Sequence, residues 1–136
     1  ELNQETISQL RKVLPPAASP YNPVDVLGDA PAERYRNAIK IVNSDPNVDM
    51  LMVIALMQSP ALDANELIKV LNEIKGATKP MVFVAPGGGY TLEKLNIINS
   101  IGIPAFRDPV EGAKALTYLY RFSQAYTKAM KRRVQM

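Results

Sequence analysis

The hydrophobic positions of this chain change period several times, from helix-like to strand-like and back. Ile7, Leu10 and Leu14 recur at helical spacing, and Pro15-Pro16 ends that segment because proline has no N–H to donate. Four prolines between Pro15 and Pro23 predict an extended connector. Val24–Leu27 predicts a short strand, and Gly28-Asp29-Ala30-Pro31 a turn whose proline suits a first helical position. Tyr35, Ala38, Ile39 and Val42 then place an amphipathic helix up to about Asn43. Met50–Leu56 is apolar without alternation, the pattern of a central strand buried on both faces of a parallel sheet.

Asp63 and Glu66 offer a capping-box-like start to a helix whose inner face is Leu67, Val70, Leu71 and Ile74, closed by Gly76. Met81–Ala85 predicts the next strand, followed by Pro86 and the run Gly87-Gly88-Gly89. Thr91–Ile101 predicts a helix with Leu92, Leu95 and Ile98 inward, and Ile103–Phe106 a short strand. Asp108-Pro109-Val110-Glu111 supplies the cap, proline and acid of a last helix reaching about Arg133. One helix followed by four strand–helix units implies right-handed crossovers. The predicted fold is therefore α/β: a three-layer, flavodoxin-like domain with a mostly parallel four-stranded sheet and helices on both faces. Such sheets bind ligands at the carboxyl ends of their strands, where strand order reverses.

Composition narrows the chemistry. A chain of 136 residues, 47% hydrophobic and 21% charged, suits one globular domain. The absence of cysteine excludes disulfides, thiolate metal sites and cysteine nucleophiles. The absence of histidine removes the commonest general base and metal ligand. The longest apolar run, Met50–Met57, falls far short of the ~20 residues that span a bilayer, and no signal-peptide pattern opens the chain. A cytoplasmic location without a membrane partner is expected. The net charge of +3 is uneven: residues 121–136 hold five basic side chains and no acid, while residues 1–120 carry 11 basic and 13 acidic. That basic end reads as a solvated helix terminus complementing the helix dipole, or as a dock for phosphate or an acidic partner.

Four loops follow strands and merit inspection. At Gly28-Asp29-Ala30 a helix begins, so free amides and the positive helix end favour an anion, although Asp29 opposes one unless its carboxylate caps the helix. The same pattern also suits an ordinary strand-to-helix turn. Gln58-Ser59-Pro60 offers an amide and a hydroxyl suited to a carboxylate. Gly87-Gly88-Gly89 permits close backbone approach but lacks the lysine and hydroxyl residue of a P-loop. Arg107–Pro109 is the fourth loop. Asp25 is either a water-facing edge residue or a buried carboxylate, whereas Asp45 and Asp49 read as solvated turn formers. The methionines Met50, Met52, Met57 and Met81 read as core filler. No metal site is expected.

The run Asn22-Pro23-Val24-Asp25-Val26-Leu27-Gly28-Asp29-Ala30, followed by Glu33-Arg34-Tyr35, resembles one domain of the nucleoside-diphosphate-forming (NDP-forming) acyl-CoA synthetases, relatives of succinyl-CoA synthetase. Asp45-Pro46, Val48-Asp49, Gln58, Lys79-Pro80-Met81-Val82, Gly87-Gly88, Gly102-Ile103-Pro104 and Asp108-Pro109-Val110-Glu111 fit the same domain in the same order, over about residues 14 to 122. The resemblance implies a flavodoxin-like CoA-ligase domain at residues 21–122, after an N-terminal helix and connector at 1–20 and before a basic helix end at 123–136. Members of that family convert an acyl-CoA, a nucleoside diphosphate and phosphate into a carboxylic acid, a nucleoside triphosphate and CoA, through an acyl phosphate and a phosphohistidine.

By the same resemblance, the helix after Gly28-Asp29-Ala30 faces the phosphohistidine. Gln58-Ser59-Pro60 lies near the acyl or carboxylate substrate, and Gly87-Gly88 forms a further crevice loop. With no histidine of its own, the chain is expected to be inactive alone, as an excised domain or a small subunit would be. CoA, ADP or ATP and Mg²⁺ are expected on partner domains, namely CoA-binding and phosphohistidine domains and an ATP-grasp domain or subunit. A small carboxylic acid or acyl phosphate is the expected small-molecule partner, and no nucleic acid is expected. Two other readings stand beside this one. The chain could be the synthetase-like module of a protein acetyltransferase, or a flavodoxin-like interaction domain that uses its basic end.

Overall fold

The computed structural model describes residues 1–76 and 79–134, so the last two residues of the basic end lie outside the described residues. Along the chain the order is α1 (Gln4–Val13), α2 (Ala32–Asn43), β1 (Leu51–Ile54), α3 (Ala64–Ile74), β2 (Met81–Val84), α4 (Gly89–Ser100), β3 (Ala105–Phe106) and α5 (Pro109–Val134). Polar caps explain two of the helix starts. The Asn3 side chain accepts the Glu5 amide at α1, and the Asp63 carboxylate accepts the amides of Asn65 and Glu66 at α3. Glu66 does not reach back to complete a reciprocal box; it pairs with Lys69 at 2.6 Å. Asp63→Ala is therefore expected to cost about 1 kcal/mol, read from urea unfolding.

The strands form one parallel sheet in the order β1-β2-β3, with Val53 opposite Phe83 and Phe83 opposite Ala105. Two expectations need correction here. The described residues contain three strands, not four, because Val24–Leu27 does not join the sheet. Asp25 spends its N–H and C=O on an antiparallel bridge with Ser19, and Leu27, at φ 70°, turns the chain away. A cavity of about 240 Å³, lined by Val24, Val26, Tyr35 and Met52, separates this segment from the outer edge of β1. The strand order also never reverses among the described residues, so the crevice is not a switch point.

The central strand is β2, not β1. Val82, Phe83 and Val84 are all buried, whereas β1 alternates: Leu51 and Val53 are buried while Ile54 is 49% exposed. The cause is the uneven cover of the two faces. On one face Leu51, Val53, Ala55, Phe83 and Ala85 join Ile39 of α2, Leu67, Val70 and Leu71 of α3, and Leu95 and Ile98 of α4 in a single core. On the other face only the first turns of α5 arrive. Gly112 makes that approach feasible, since a Cβ there would stand 2.9 Å from Val84 Cγ2 and 3.3 Å from Met52 Cε. Beyond Leu116 the α5 side chains described are exposed, Tyr118 and Phe122 included. In α4 the inward residues are Thr91, Lys94, Leu95 and Ile98; Leu92, expected inward, points to solvent.

α1 extends the core rather than hanging from it: Ile7, Leu10 and Leu14 pack with Ala38 of α2. Asp45 locks that arrangement, and here the solvated-turn expectation fails. Its side chain is 1% exposed, and its carboxylate accepts the Asn3 amide at 2.8 Å and the Asn47 amide at 2.7 Å. Asp49 is exposed, as expected of a turn residue. Met57 is buried in the core, which suits its reading as filler.

Candidate functional site

All four inspected loops meet at the carboxyl ends of the strands. The first link is the Ser59 hydroxyl, which donates to the Gly28 carbonyl at 3.0 Å and ties the loop after β1 to the turn before α2. The second is the Arg107 guanidinium, which donates to the Gly87 carbonyl at 2.7 Å and ties the loop after β3 to the loop after β2. Gln58 closes the chain of contacts. A Cβ placed on Gly87 would overlap both Gln58 Nε2 and Thr91 Oγ1, so these three residues crowd one point.

At the first loop Gly28 and Asp29 are exposed and Ala30 is buried. The helix they introduce, α2, has Pro31 as its N-cap and no side-chain cap, and the amides of Ala32 and Glu33 find no partner among the described residues. Asp29 does not cap the helix. Its carboxylate pairs with Arg34 at 2.6 Å, and the same guanidinium donates to the Val26 carbonyl at 2.9 Å. The negative charge that argued against an anion is thus matched by a cation, which leaves the helix dipole to set the local field. Asp25 is exposed and among the described residues accepts the Leu27 amide at 2.8 Å, so it faces water as expected, though from an isolated bridge with Ser19 and not from an edge of the sheet. Burial, with the Asp25 charge adding to it, pushes the neighbouring Tyr35 phenol above its ordinary value.

The loop after β1 presents Gln58 exposed, Ser59 half-buried and Pro60 exposed. After β2, Gly87 is half-buried at φ 157°, Gly88 is the N-cap of α4, and nothing lies within 4 Å of where a Cβ of Gly88 or Gly89 would stand. The residue that sequence reasoning passed over is Thr91. It is fully buried at the first turn of α4, and its hydroxyl has no hydrogen-bond partner. Its signal was a hydroxyl residue two positions after a triple glycine, which predicts a helix start but not a buried polar atom. The crevice therefore combines two uncapped helix N-termini, an amide, two hydroxyls and two guanidinium groups. That set can attract, orient and neutralise an oxyanion. Its carboxylates are already engaged, Asp29 with Arg34 at 2.6 Å and Asp108 with the Val110 amide at 2.7 Å.

The sequence that folds into this parallel α/β domain matches one family model. The model of the Ligase-CoA domain matches residues 1–130, and the chain belongs to that family. It is 37% identical, over 93% of its length, to "Acetate--CoA ligase [ADP-forming] I" of Archaeoglobus fulgidus. It is 33% identical, over 90% of its length, to "Acetate--CoA ligase [ADP-forming] I subunit alpha" of Pyrococcus furiosus. The chain spans only 18% and 27% of these two relatives. A solved structure of the dinucleotide forming acetyl-coenzyme A synthetase 1 of Ca. Korarchaeum cryptofilum in its apo form superposes with a TM-score of 0.83 at 28% identity, over 96% of this chain and 29% of that one.

Proposed function

We propose that this chain is a non-autonomous domain or subunit of an NDP-forming acyl-CoA synthetase. In this role it presents a helix N-terminus to a phosphoryl group and forms part of the acyl or carboxylate pocket. One observation carries the reading: the Ser59–Gly28 hydrogen bond holds the carboxylate-suited loop against the uncapped start of α2. The amides of Ala32 and Glu33, with the positive end of α2, stabilise phosphoryl oxygens brought to the crevice mouth. Gln58 offers its amide to the acyl group beside them, and Ser59 holds the loop in place through its bond to Gly28, so the two reacting partners meet in one crevice.

A histidine that carries the phosphoryl group must come from another part of the enzyme, since this chain has none. CoA, the nucleotide and its Mg²⁺ bind to the other domains, while this chain holds a small carboxylic acid or acyl phosphate. Mixing the chain with the complementary domains of a relative is expected to restore acetyl-CoA-dependent phosphorylation of ADP, measured as ATP formed. If the mixture yields no more ATP than those domains alone, the proposal fails.

A further inference from the structure

We propose that the N-terminus of α4, with the Thr91 hydroxyl as its floor, is a second oxyanion subsite of the crevice, made for a carboxylate or phosphate oxygen. It rests on the reading of the crevice as an anion-handling site and assigns a role to the glycine loop that the reading above leaves open.

The argument begins with a buried group left unmatched. Thr91 is fully buried, yet its Oγ1 has no hydrogen-bond partner, an arrangement native proteins seldom tolerate without a function. A helical threonine can donate to the carbonyl four residues back; here that carbonyl is Gly87's, which accepts from Arg107, and Thr91 makes no bond to it. The hydroxyl lies instead beside Gly87 under the exposed side chain of Gln58, since a Cβ on Gly87 would overlap Thr91 Oγ1 and Gln58 Nε2 together; withdrawal of Gln58 opens the notch above it.

Above this floor the amides of Gly89, Tyr90 and Thr91 have no partner among the described residues, and glycine at the N-cap adds no side chain over them. One turn on, Lys94 is 8% exposed, with its ammonium 3.2 Å from Asn65 Oδ1 and lying over the Tyr90 ring. Glu93 sits 3.5 Å from that ammonium, but its own side chain is 68% exposed on the outer side. Three amides, a hydroxyl, an amide side chain and a helix dipole all offer positive charge to one small notch. An anionic oxygen is the ligand that satisfies them.

The test uses the whole 136-residue chain, with amide NMR shifts followed during titration by inorganic phosphate and, separately, by acetate. Saturable shifts at Gly89, Tyr90 and Thr91 are expected. Tighter phosphate binding would mark a phosphoryl oxygen as the natural guest, and tighter acetate binding a carboxylate; either supports the subsite. Thr91→Val, which keeps the shape and removes the hydroxyl, should weaken binding about five- to tenfold, whereas Thr91→Ser should retain it. Without anion, Thr91→Val should raise the urea midpoint, because an unmatched hydroxyl is replaced by a methyl group.

Unshifted α4 amides, or unchanged affinity in Thr91→Val, would overturn the proposal. In the latter case a lowered midpoint would show that the hydroxyl merely clasps Gln58. Shifts at Ala32 and Glu33 report on α2 alone, and the ATP assay on the assembled enzyme, so the two readings fail separately.

Discussion

Asp45→Ala is expected to lower stability by about 3–4 kcal/mol, measured by urea unfolding at neutral pH. Asp45 is 1% exposed and its carboxylate accepts the amides of Asn3 and Asn47, so truncation removes two part-buried hydrogen bonds between α1 and the turn before β1 and leaves a cavity in their place. The Lys79 ammonium donates to the Asp45 backbone carbonyl, which ties a third segment to the same point. Burial alone would push this carboxyl up. The Asn47 amide, the Thr6 hydroxyl, the Asn3 amide and the Lys79 charge outweigh it and hold the group below its ordinary value of 3.8.

A carboxyl whose pKa is lower in the folded state adds stability above the unfolded value, and that stability is lost as pH falls through the folded one. Asp45→Asn keeps the shape without the titration. The stability gap between the native chain and Asp45→Asn should therefore be widest at neutral pH and shrink below pH 3.8. A gap that stays constant with pH would count against the buried carboxylate.

Gly87→Ala is expected to cost about 3 kcal/mol, from overpacking and from a backbone region that L side chains avoid. Its φ is 157°, and the new methyl would overlap Thr91 Oγ1 and Gln58 Nε2. Of these two neighbours Gln58 is exposed and free to retreat, while Thr91 is buried. A cycle with Gln58→Ala separates the contributions: the double variant should recover about 1 kcal/mol relative to simple addition. Strict additivity would mean that Gln58 does not share the notch.

Local pattern was a good guide wherever a residue's state depends on near neighbours in sequence. The apolar stretches at Leu51–Ile54 and Met81–Val84 became strands, and the Asp63 cap opened α3 as its spacing implied. The same logic misjudged Val24–Leu27, because β propensity says nothing of which partner a backbone finds. Ser19 took the Asp25 ladder groups before β1 could. Which strand is central was equally hidden, since it depends on pairing: β2 bonds to β1 on one side and β3 on the other, contacts between segments distant in sequence.

The candidate site was legible as loops but not as an assembly. Ser59 and Gly87 carry hydroxyl and glycine signals after β1 and β2, and the parallel topology brings those strand ends together, while Gly28 follows a segment outside the sheet. The bond from Ser59 to Gly28 joins residues 31 apart, and no spacing rule reaches that far. Arg34 neutralising Asp29 lay closer, at five residues, yet either side chain could have turned to solvent.

By itself the chain's order of residues determined the α/β class, the order of the helices, the family and the lack of any imidazole, since periodicity, caps and composition are properties of short stretches. Only the folded molecule decided that Asp45 is buried, that Asp29 is matched by Arg34 and that Thr91 is left with an unmatched hydroxyl. Each of those states depends on what distant segments bring within a few ångströms, and hydrogen bonding and desolvation are settled at that range.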